Sequence, residues 1–229
     1  MSNFVKQWEK AATMFTEDQD NSEYAVINKA IVKKRFQKLN CEKVLDLGCG
    51  YGYYTDHFRN IGGNVIGIDG AKTMISIAKN RYPKSTFFVH DIMNPFLFED
   101  ESFDIVFCNQ VLMDVENIEN LFRECYRILK KSGIFYFSII HPAFYNGDWV
   151  YDEKENKFVK QVTSYITSYD FDNNFWGKTR CFHRPLSYYL NTASDTGFFL
   201  THSEEPKSYN NKMKNEDIPL FFFAEYKKL

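Results

Sequence analysis

The chain reads as an α/β protein built on a doubly wound, mostly parallel sheet, and two observations carry that expectation. First, Val44-Leu45-Asp46-Leu47-Gly48-Cys49-Gly50-Tyr51-Gly52, followed by Val65-Ile66-Gly67-Ile68-Asp69, has the form of a strand, a glycine-rich turn, a helix and a second strand ending on a carboxylate. Such a unit takes an adenosine-containing ligand at the carboxyl ends of parallel strands, with the acid on the ribose hydroxyls. Second, strand-like and helix-like apolar patterns keep alternating downstream, at lengths that strand-helix-strand units require.

Residues 22 to 39 predict a helix, with Ala25, Ile27, Ala30, Ile31 and Phe36 on an imperfect apolar face. The helix after the glycine turn should run to about Asn60 and stop at Gly62-Gly63, as helices commonly stop at glycine. Ala71, Met74, Ile75 and Ala78 fall at i, i+3, i+4 and i+7, and Pro83 forbids continuation. Phe87 to Ile92 and Phe103 to Asn109 read as strands. Residues 117 to 130 show the clearest helical period, with Lys130 and Lys131 favourable at its C-terminus and Gly133 introducing a strand from Ile134 to Ile140. Arg184 to Asp195 reads as a helix ended by Gly197. Strands begin at Phe198 and run from Pro219 to Tyr226, with a polar loop at 206 to 217 between them.

The glycines stand at 48, 50 and 52, and Tyr53 occupies the position where a dinucleotide fingerprint has its last glycine. Asp46 lies two residues before the first glycine, where its charge would repel a pyrophosphate by several kcal/mol, on the order expected for close like charges at intermediate dielectric. A cationic ligand reverses that sign. S-adenosylmethionine (AdoMet) carries an ammonium and a sulfonium, has no phosphate, and keeps the ribose, so the pattern favours AdoMet over NAD.

These residues resemble the class I (Rossmann-like) AdoMet-dependent methyltransferases, whose first motif is Val or Ile, Leu-Asp, Leu or Val, then Gly-Cys-Gly-x-Gly. Residues 44 to 52 match it throughout. Asp69-Gly70 closes the second strand as in that family. Asp91-Ile92 resembles its acid-plus-apolar pair at the adenine, and Phe103 to Asn109 its fourth strand, after which the chain lines the methionine end. The resemblance implies a seven-stranded sheet in the order 3-2-1-4-5-7-6 with one antiparallel strand and helices on both faces. It also implies AdoMet as cofactor, S-adenosylhomocysteine as product, and a cofactor site of Asp46, Gly48, Cys49, Gly50, Tyr53, Asp69, Gly70, Met74, Asp91, Ile92, Asn109 and Gln110. Asp46 would support the ammonium, Asp69 the ribose, and Asp91 with Ile92 the adenine.

The expected organisation is one domain over residues 1–229: an N-terminal helical cap (1–39), a cofactor-binding core (40–140), an acceptor-side insertion (141–182), and a closing helix with an antiparallel strand pair (183–229). The insertion is rich in aromatic residues, among them Tyr145, Trp149 and Trp176, suited to a small, flat or apolar acceptor. The whole chain is nevertheless rich in Phe and Tyr, so plain packing competes with that role. Tyr24, Tyr145 and Trp149 are the substrate-side candidates. Trp8, Tyr24 and Tyr53 are placed to close over the methionine end.

A sulfonium methyl is already electrophilic, so few catalytic groups are needed beyond those that position a nucleophile. His141, after the fifth strand, and His183, at the end of the insertion, are the candidate bases, since imidazole titrates near neutrality. The bland alternatives are a strand-exit turn at His141-Pro142 and a helix-start contact at His183. Asn109-Gln110-Val111-Leu112 lacks the Pro-Pro signature of adenine-N6, cytosine-N4 and glutamine enzymes of this family, and Met113-Asp114-Val115 stands where quinone-biosynthesis relatives often carry a histidine pair. The expected activity is methyl transfer to an O, N or C nucleophile of a small molecule. A non-catalytic AdoMet-binding protein and an NAD-linked oxidoreductase are the alternatives.

Composition is consistent with this. Apolar residues make up 44% of 229, enough for a sizeable core, and a net charge of −2 gives no basic footprint for nucleic acid. The five cysteines, at 41, 49, 108, 125 and 181, suit neither a disulfide framework nor a zinc site, and no metal is expected. The first ten residues carry charges where a leader needs an apolar core, and the longest apolar run is strand-length. A soluble cytoplasmic protein, a monomer or homodimer with a small-molecule acceptor, is expected.

Overall fold

The computed structural model describes residues 2–145, 147–207 and 217–229. Two helices open the chain, α1 (Asn3–Asn21) and α2 (Glu23–Arg35), each started by a serine whose hydroxyl accepts a backbone N–H: Ser2 from Val5, Ser22 from Ala25. There follow β1 (Lys43–Leu47), α3 (Tyr53–Asn60), β2 (Asn64–Asp69), α4 (Lys72–Arg81), β3 (Thr86–Val89) and β4 (Phe103–Asn109). A short 3-10 turn (Leu112–Asp114), α5 (Ile118–Ile128) and β5 (Leu129–Ile140) complete the first half of the sheet. Then come β6 (Asp148–Asp152), β7 (Lys157–Gln161), β8 (Tyr169–Asn173), β9 (Thr179–His183), α6 (Leu186–Thr196), β10 (Phe198–Glu204) and β11 (Phe221–Lys228).

The main sheet has seven strands in the order β3-β2-β1-β4-β5-β11-β10, with β11 antiparallel to both neighbours and the remaining pairs parallel. Leaving out the insertion, this is the expected 3-2-1-4-5-7-6. Period-two alternation in the central strands divides the core into two layers. Val106 and Cys108 of β4, with Phe135, Phe137 and Ile139 of β5, face α5 and α6. Ile105 and Phe107, with Tyr136, face α2 and α3, where Phe36, Phe58, Phe107 and Tyr136 form an edge-to-face and stacked aromatic group.

Most element boundaries lie where the sequence places them. Gly62 takes φ +107° after α3, and Gly197 takes φ +102° after α6. Three expectations need correction. The helix expected to Leu39 ends at Arg35, because Phe36 turns out of it to bury between Phe58 and Tyr136. The helix over 117 to 130 ends at Ile128, and β5 begins at once, so Lys130 and Lys131 belong to a strand. There the register jumps from Phe103↔Leu129 to Ile105↔Ile134, Ser132 takes φ +62°, and Lys130 pairs with Asp104 at 2.8 Å. The closing helix starts at Leu186, after Pro185, rather than at Arg184.

The insertion forms two antiparallel hairpins, β6–β7 and β8–β9. Most of the polar loop expected at 206 to 217 lies outside the described residues. Among the described residues no helix is long and apolar enough to cross a membrane.

Phe107 sits at the centre of one layer, fully buried against Phe36, Tyr54, Phe58 and Tyr136. Phe107→Ala should cost about 3–5 kcal/mol, the range for aromatic-to-alanine changes in a core. Urea unfolding of the two proteins checks it; a loss under about 1 kcal/mol would mean this layer collapses to fill the space.

Candidate functional site

Because the strands β1 to β5 run parallel, their carboxyl ends lie on one edge, and a cavity of about 420 Å³ follows that edge. Its wall takes Ile92 beyond β3, Asp69 at the end of β2, Gly48 and Gly50 beyond β1, Asn109 at the end of β4, Ile140 at the end of β5, and Phe221 at the start of β11. The size falls within the roughly 300–1,000 Å³ of ligand sites. Its roof comes from α1 and from the turn of the β8–β9 hairpin. Trp8 and Phe15 of α1 meet Trp176 of the hairpin, with Phe15 and Trp176 edge to face at 4.9 Å. The Arg180 N–H donates to the Gln7 side chain at 2.8 Å and ties the hairpin to α1.

The glycine turn is shaped by Asp69. Its carboxylate accepts from Gly50 N–H at 3.0 Å and Ala71 N–H at 2.8 Å, so the turn after β1 and the turn after β2 share one acceptor. Burial pushes the Asp69 carboxyl up to about 6, against the pull of those two hydrogen bonds. Gly48 takes φ +71°, and a Cβ there would stand 2.6 Å from a Val111 methyl, so only glycine fits.

Asp46 lies beneath the turn and does not line the cavity. It is 2% exposed, and Thr55 of α3 donates to it at 2.6 Å. Burial first, then the charge of Asp69, pushes its carboxyl up to about 7. The negative charge facing a ligand therefore comes from Asp18, Asp69 and Asp114, which line the cavity, rather than from Asp46.

Of the other residues expected at the cofactor, Gly48, Cys49, Gly50, Gly70, Met74, Ile92, Asn109 and Gln110 line the cavity. Tyr53 and Asp91 do not. Tyr53 lies against the Lys29 ammonium at 4.5 Å, and Asp91 accepts from Ser2 and Met93 backbone N–H groups at 3.1 and 3.2 Å. On the acceptor side Tyr24 and Tyr145 line the cavity, whereas Trp149 packs with Lys160 in the β6–β7 hairpin. The aromatic insertion is thus divided: Tyr145, Phe175 and Trp176 face the cavity, and Tyr151 and Phe158 pair with one another in the outer hairpin.

Neither histidine lines the cavity. His141 Nε2 lies 2.6 Å from Glu205, and its Nδ1 accepts from Ala143 N–H. His183 contacts the Tyr165 carbonyl and stacks on Tyr169 at 4.6 Å. Both are held by other partners at the insertion's base.

Several lining residues had escaped the sequence pattern. Asn28 of α2 is 4% exposed; its carbonyl accepts from the Tyr54 hydroxyl at 2.5 Å and the Asn109 amide at 3.0 Å, while its Nδ2 is buried with no hydrogen-bond partner. Asn109 in turn accepts from Ser138, and Ser138 from Gln110, so a polar chain runs from α2 across β4 to β5. The available signal was an asparagine on the apolar stripe Ala25, Asn28, Val32. Asp114, 5% exposed between Met113 and Val115, left a similar signal. Lys29 also lines the cavity, near α1 and the glycine turn, and donates to the Gln19 carbonyl at 2.6 Å.

Residues 45–137 match the family model for a methyltransferase domain. The chain carries a class I methyltransferase domain. AdoMet is the cofactor of that class. The chain is 28% identical over 160 residues to the malonyl-[acyl-carrier protein] O-methyltransferase of Bacillus cereus, an alignment covering 67% of this chain and 56% of the relative. It is 29% identical over 103 residues to the ubiquinone biosynthesis O-methyltransferase of Pelagibacter ubique, covering 44% and 43%. The chain therefore spans about half the length of the curated relatives it matches. A solved structure from Listeria monocytogenes, assigned to the AdoMet-dependent methyltransferases, superposes with a TM-score of 0.77 at 27% identity, covering 90% of this methyltransferase-domain chain and 99% of the other.

The buried acids predict a pH signature. The folded state keeps a proton on Asp46 up to about 7, whereas the unfolded chain releases it near 4, so folding stability falls as pH rises between those values. Asp46→Asn retains a carbonyl for Thr55 and removes that dependence. Its stability relative to the parent should therefore rise between about pH 4 and about pH 7 and level off above, read from thermal unfolding at each pH. A constant difference would show that Asp46 is ionised throughout.

Proposed function

We propose that this chain is an AdoMet-dependent methyltransferase that transfers a methyl group to a small-molecule acceptor. The observation that carries the proposal is the continuity of the cavity. One space runs from Ile92 and Asp69 over the glycine turn to Asn109, Ile140 and Phe221, with room for a nucleoside at one end and an acceptor at the other. The residues fit the cofactor. Gly50, whose Cβ position meets nothing nearer than Phe15 at 3.9 Å, leaves the backbone open to close approach, Asp69 retains lone pairs for ribose hydroxyls, and Ile92 with Met74 offers an apolar wall to adenine. The unpartnered Asn28 Nδ2 is a donor awaiting an acceptor, and with Lys29 nearby it suits the methionine carboxylate.

When bound, the cofactor supplies an electrophilic methyl on a positive sulfur. The chain's own residues bind, orient and exclude water. Tyr54, Asn28, Asn109 and Ser138 are locked by mutual hydrogen bonds, so the floor beneath the transfer zone is rigid. The roof of Trp8, Phe15 and Trp176 keeps water from the reacting atoms. Tyr24 and Tyr145 border the acceptor end. The curated relatives are named for O-methylation; the acceptor atom here is taken as O, N or C.

Calorimetric titration with AdoMet, S-adenosylhomocysteine and NAD in parallel tests the reading. Micromolar binding of the first two and none of NAD is expected; binding of NAD alone would return the chain to the oxidoreductases. Asp69→Ala should weaken AdoMet by about 1.5–3 kcal/mol, the range for hydrogen bonds to a charged group. Ribose donors and a cationic ligand both favour the Asp69 carboxylate. AdoMet binding should therefore release protons near pH 6, and affinity should rise with pH through about 6, where the free carboxyl titrates. Equal affinity in the variant, or no proton release in buffers of differing ionisation enthalpy, would remove Asp69 from the ribose.

A further inference from the structure

Beyond Asp69, the cavity wall holds a second acid that is itself buried. Asp114 closes the 3-10 turn after β4, lines the cavity, and is 5% exposed. Its recorded partner is the Cys181 thiol of β9, which donates at 3.1 Å. Among the described residues no cation pairs with it. Arg184 is close along the chain's path, but its guanidinium is directed to the backbone carbonyls of Leu112, Val115 and Glu116 and does not line the cavity. A buried carboxylate without a cation is costly. Burial pushes its carboxyl up to about 7.

The cavity wall around Asp114 is aromatic, and the nearby Arg184 guanidinium lies behind it, held by backbone carbonyls. Tyr145 lies near enough that Cys181, Tyr24 and Asp114, after burial itself, push its phenol up. Phe221 faces Tyr24 edge to face at 6.3 Å. Among the charged side chains lining the cavity, Asp18, Asp69 and Asp114 are acidic and Lys29 is the basic one; Lys29 sits against Gln19, Tyr51 and Tyr53, by the glycine turn. A carboxylate among aromatic faces, with no basic group beside it on the cavity wall, matches an ammonium and rejects an anion.

We infer that the acceptor is a small amine, and that Asp114 holds its ammonium and takes the proton that must leave before nitrogen can attack. The inference rests on the methyltransferase reading of the same cavity. In the step, the N–H bond breaks and its proton passes to the Asp114 carboxylate. The freed nitrogen lone pair then forms a bond to the methyl carbon, and the C–S electron pair stays on sulfur as a neutral thioether. A carboxylate acceptor finds no cationic partner at this end and is excluded.

The test uses the full chain saturated with S-adenosylhomocysteine, titrated with phenethylamine, tryptamine and the size-matched probes 2-phenylethanol and 3-phenylpropionate. Amines should bind at least tenfold more tightly than the alcohol, and the carboxylate should not bind. Asp114→Asn should lose that preference while binding S-adenosylhomocysteine as the parent does; Asp114→Glu, which keeps the charge, should retain it in part. Equal or tighter binding of the alcohol or carboxylate, an amine preference unchanged in Asp114→Asn, or no amine binding at millimolar concentration would overturn the amine assignment. Failure of the parent to bind S-adenosylhomocysteine would instead overturn the methyltransferase reading itself, so the two failures are distinguishable.

Discussion

The Asp69 carboxylate is the constraint on which the site depends. It accepts from Gly50 on one side and Ala71 on the other, so the turn leaving β1 and the turn leaving β2 cannot move apart. Both turns stand at the carboxyl edge of neighbouring parallel strands, paired from Lys43↔Asn64 to Leu47↔Ile68. Gly48 and Cys49 add to the platform by donating to the Ile68 carbonyl, each at 2.9 Å. A rigid, glycine-cleared edge is therefore present before any ligand arrives, and the ordering cost of binding is correspondingly small.

Desolvation sets the electrostatics of that edge. Asp46 and Asp114 are buried and Asp69 is half-buried, and all three are raised above the usual carboxylate range. They differ in what each faces. Asp46 is satisfied from below by Thr55, Asp69 is braced by two backbone donors, and Asp114 has a thiol. The less well supplied an acid is, the more a bound donor stabilises it, which makes Asp69 and Asp114 the natural recipients of ligand N–H and O–H groups.

The roof is a joint product of segments far apart in sequence. Trp8 and Phe15 come from α1, Trp176 from the hairpin about 160 residues later, and their edge-to-face packing closes one cavity over the sheet edge. Period-two and period-3.6 patterns had revealed the strands and helices of the sheet, because each buries one face and its apolar residues must recur with the backbone. The hairpin β6–β7 left no such pattern, and in β8–β9 the alternation is confined to five-residue strands. β6 is largely exposed, and its register is set by backbone pairing with β7 instead of by a buried face. Lys130 and Lys131 misled for a related reason: an α-helical period that ends at Ile128 does not announce that the next residue is already a strand.

The sequence by itself determined the alternation of strands and helices, the glycine turn and the acid of Asp69, since these follow from local periodicity and from one contiguous motif; the order of the strands came with the family resemblance. Only the tertiary structure decided what the cavity contains beyond that motif. It sank Asp46 beneath the turn, turned both histidines away, and brought Asn28 to Asn109 and Cys181 to Asp114. Those pairs are 81 and 67 residues apart, and their meeting depends on the crossovers and hairpins that stack distant segments on one edge. A periodic pattern states which face of an element is buried; it does not state which other element will cover that face.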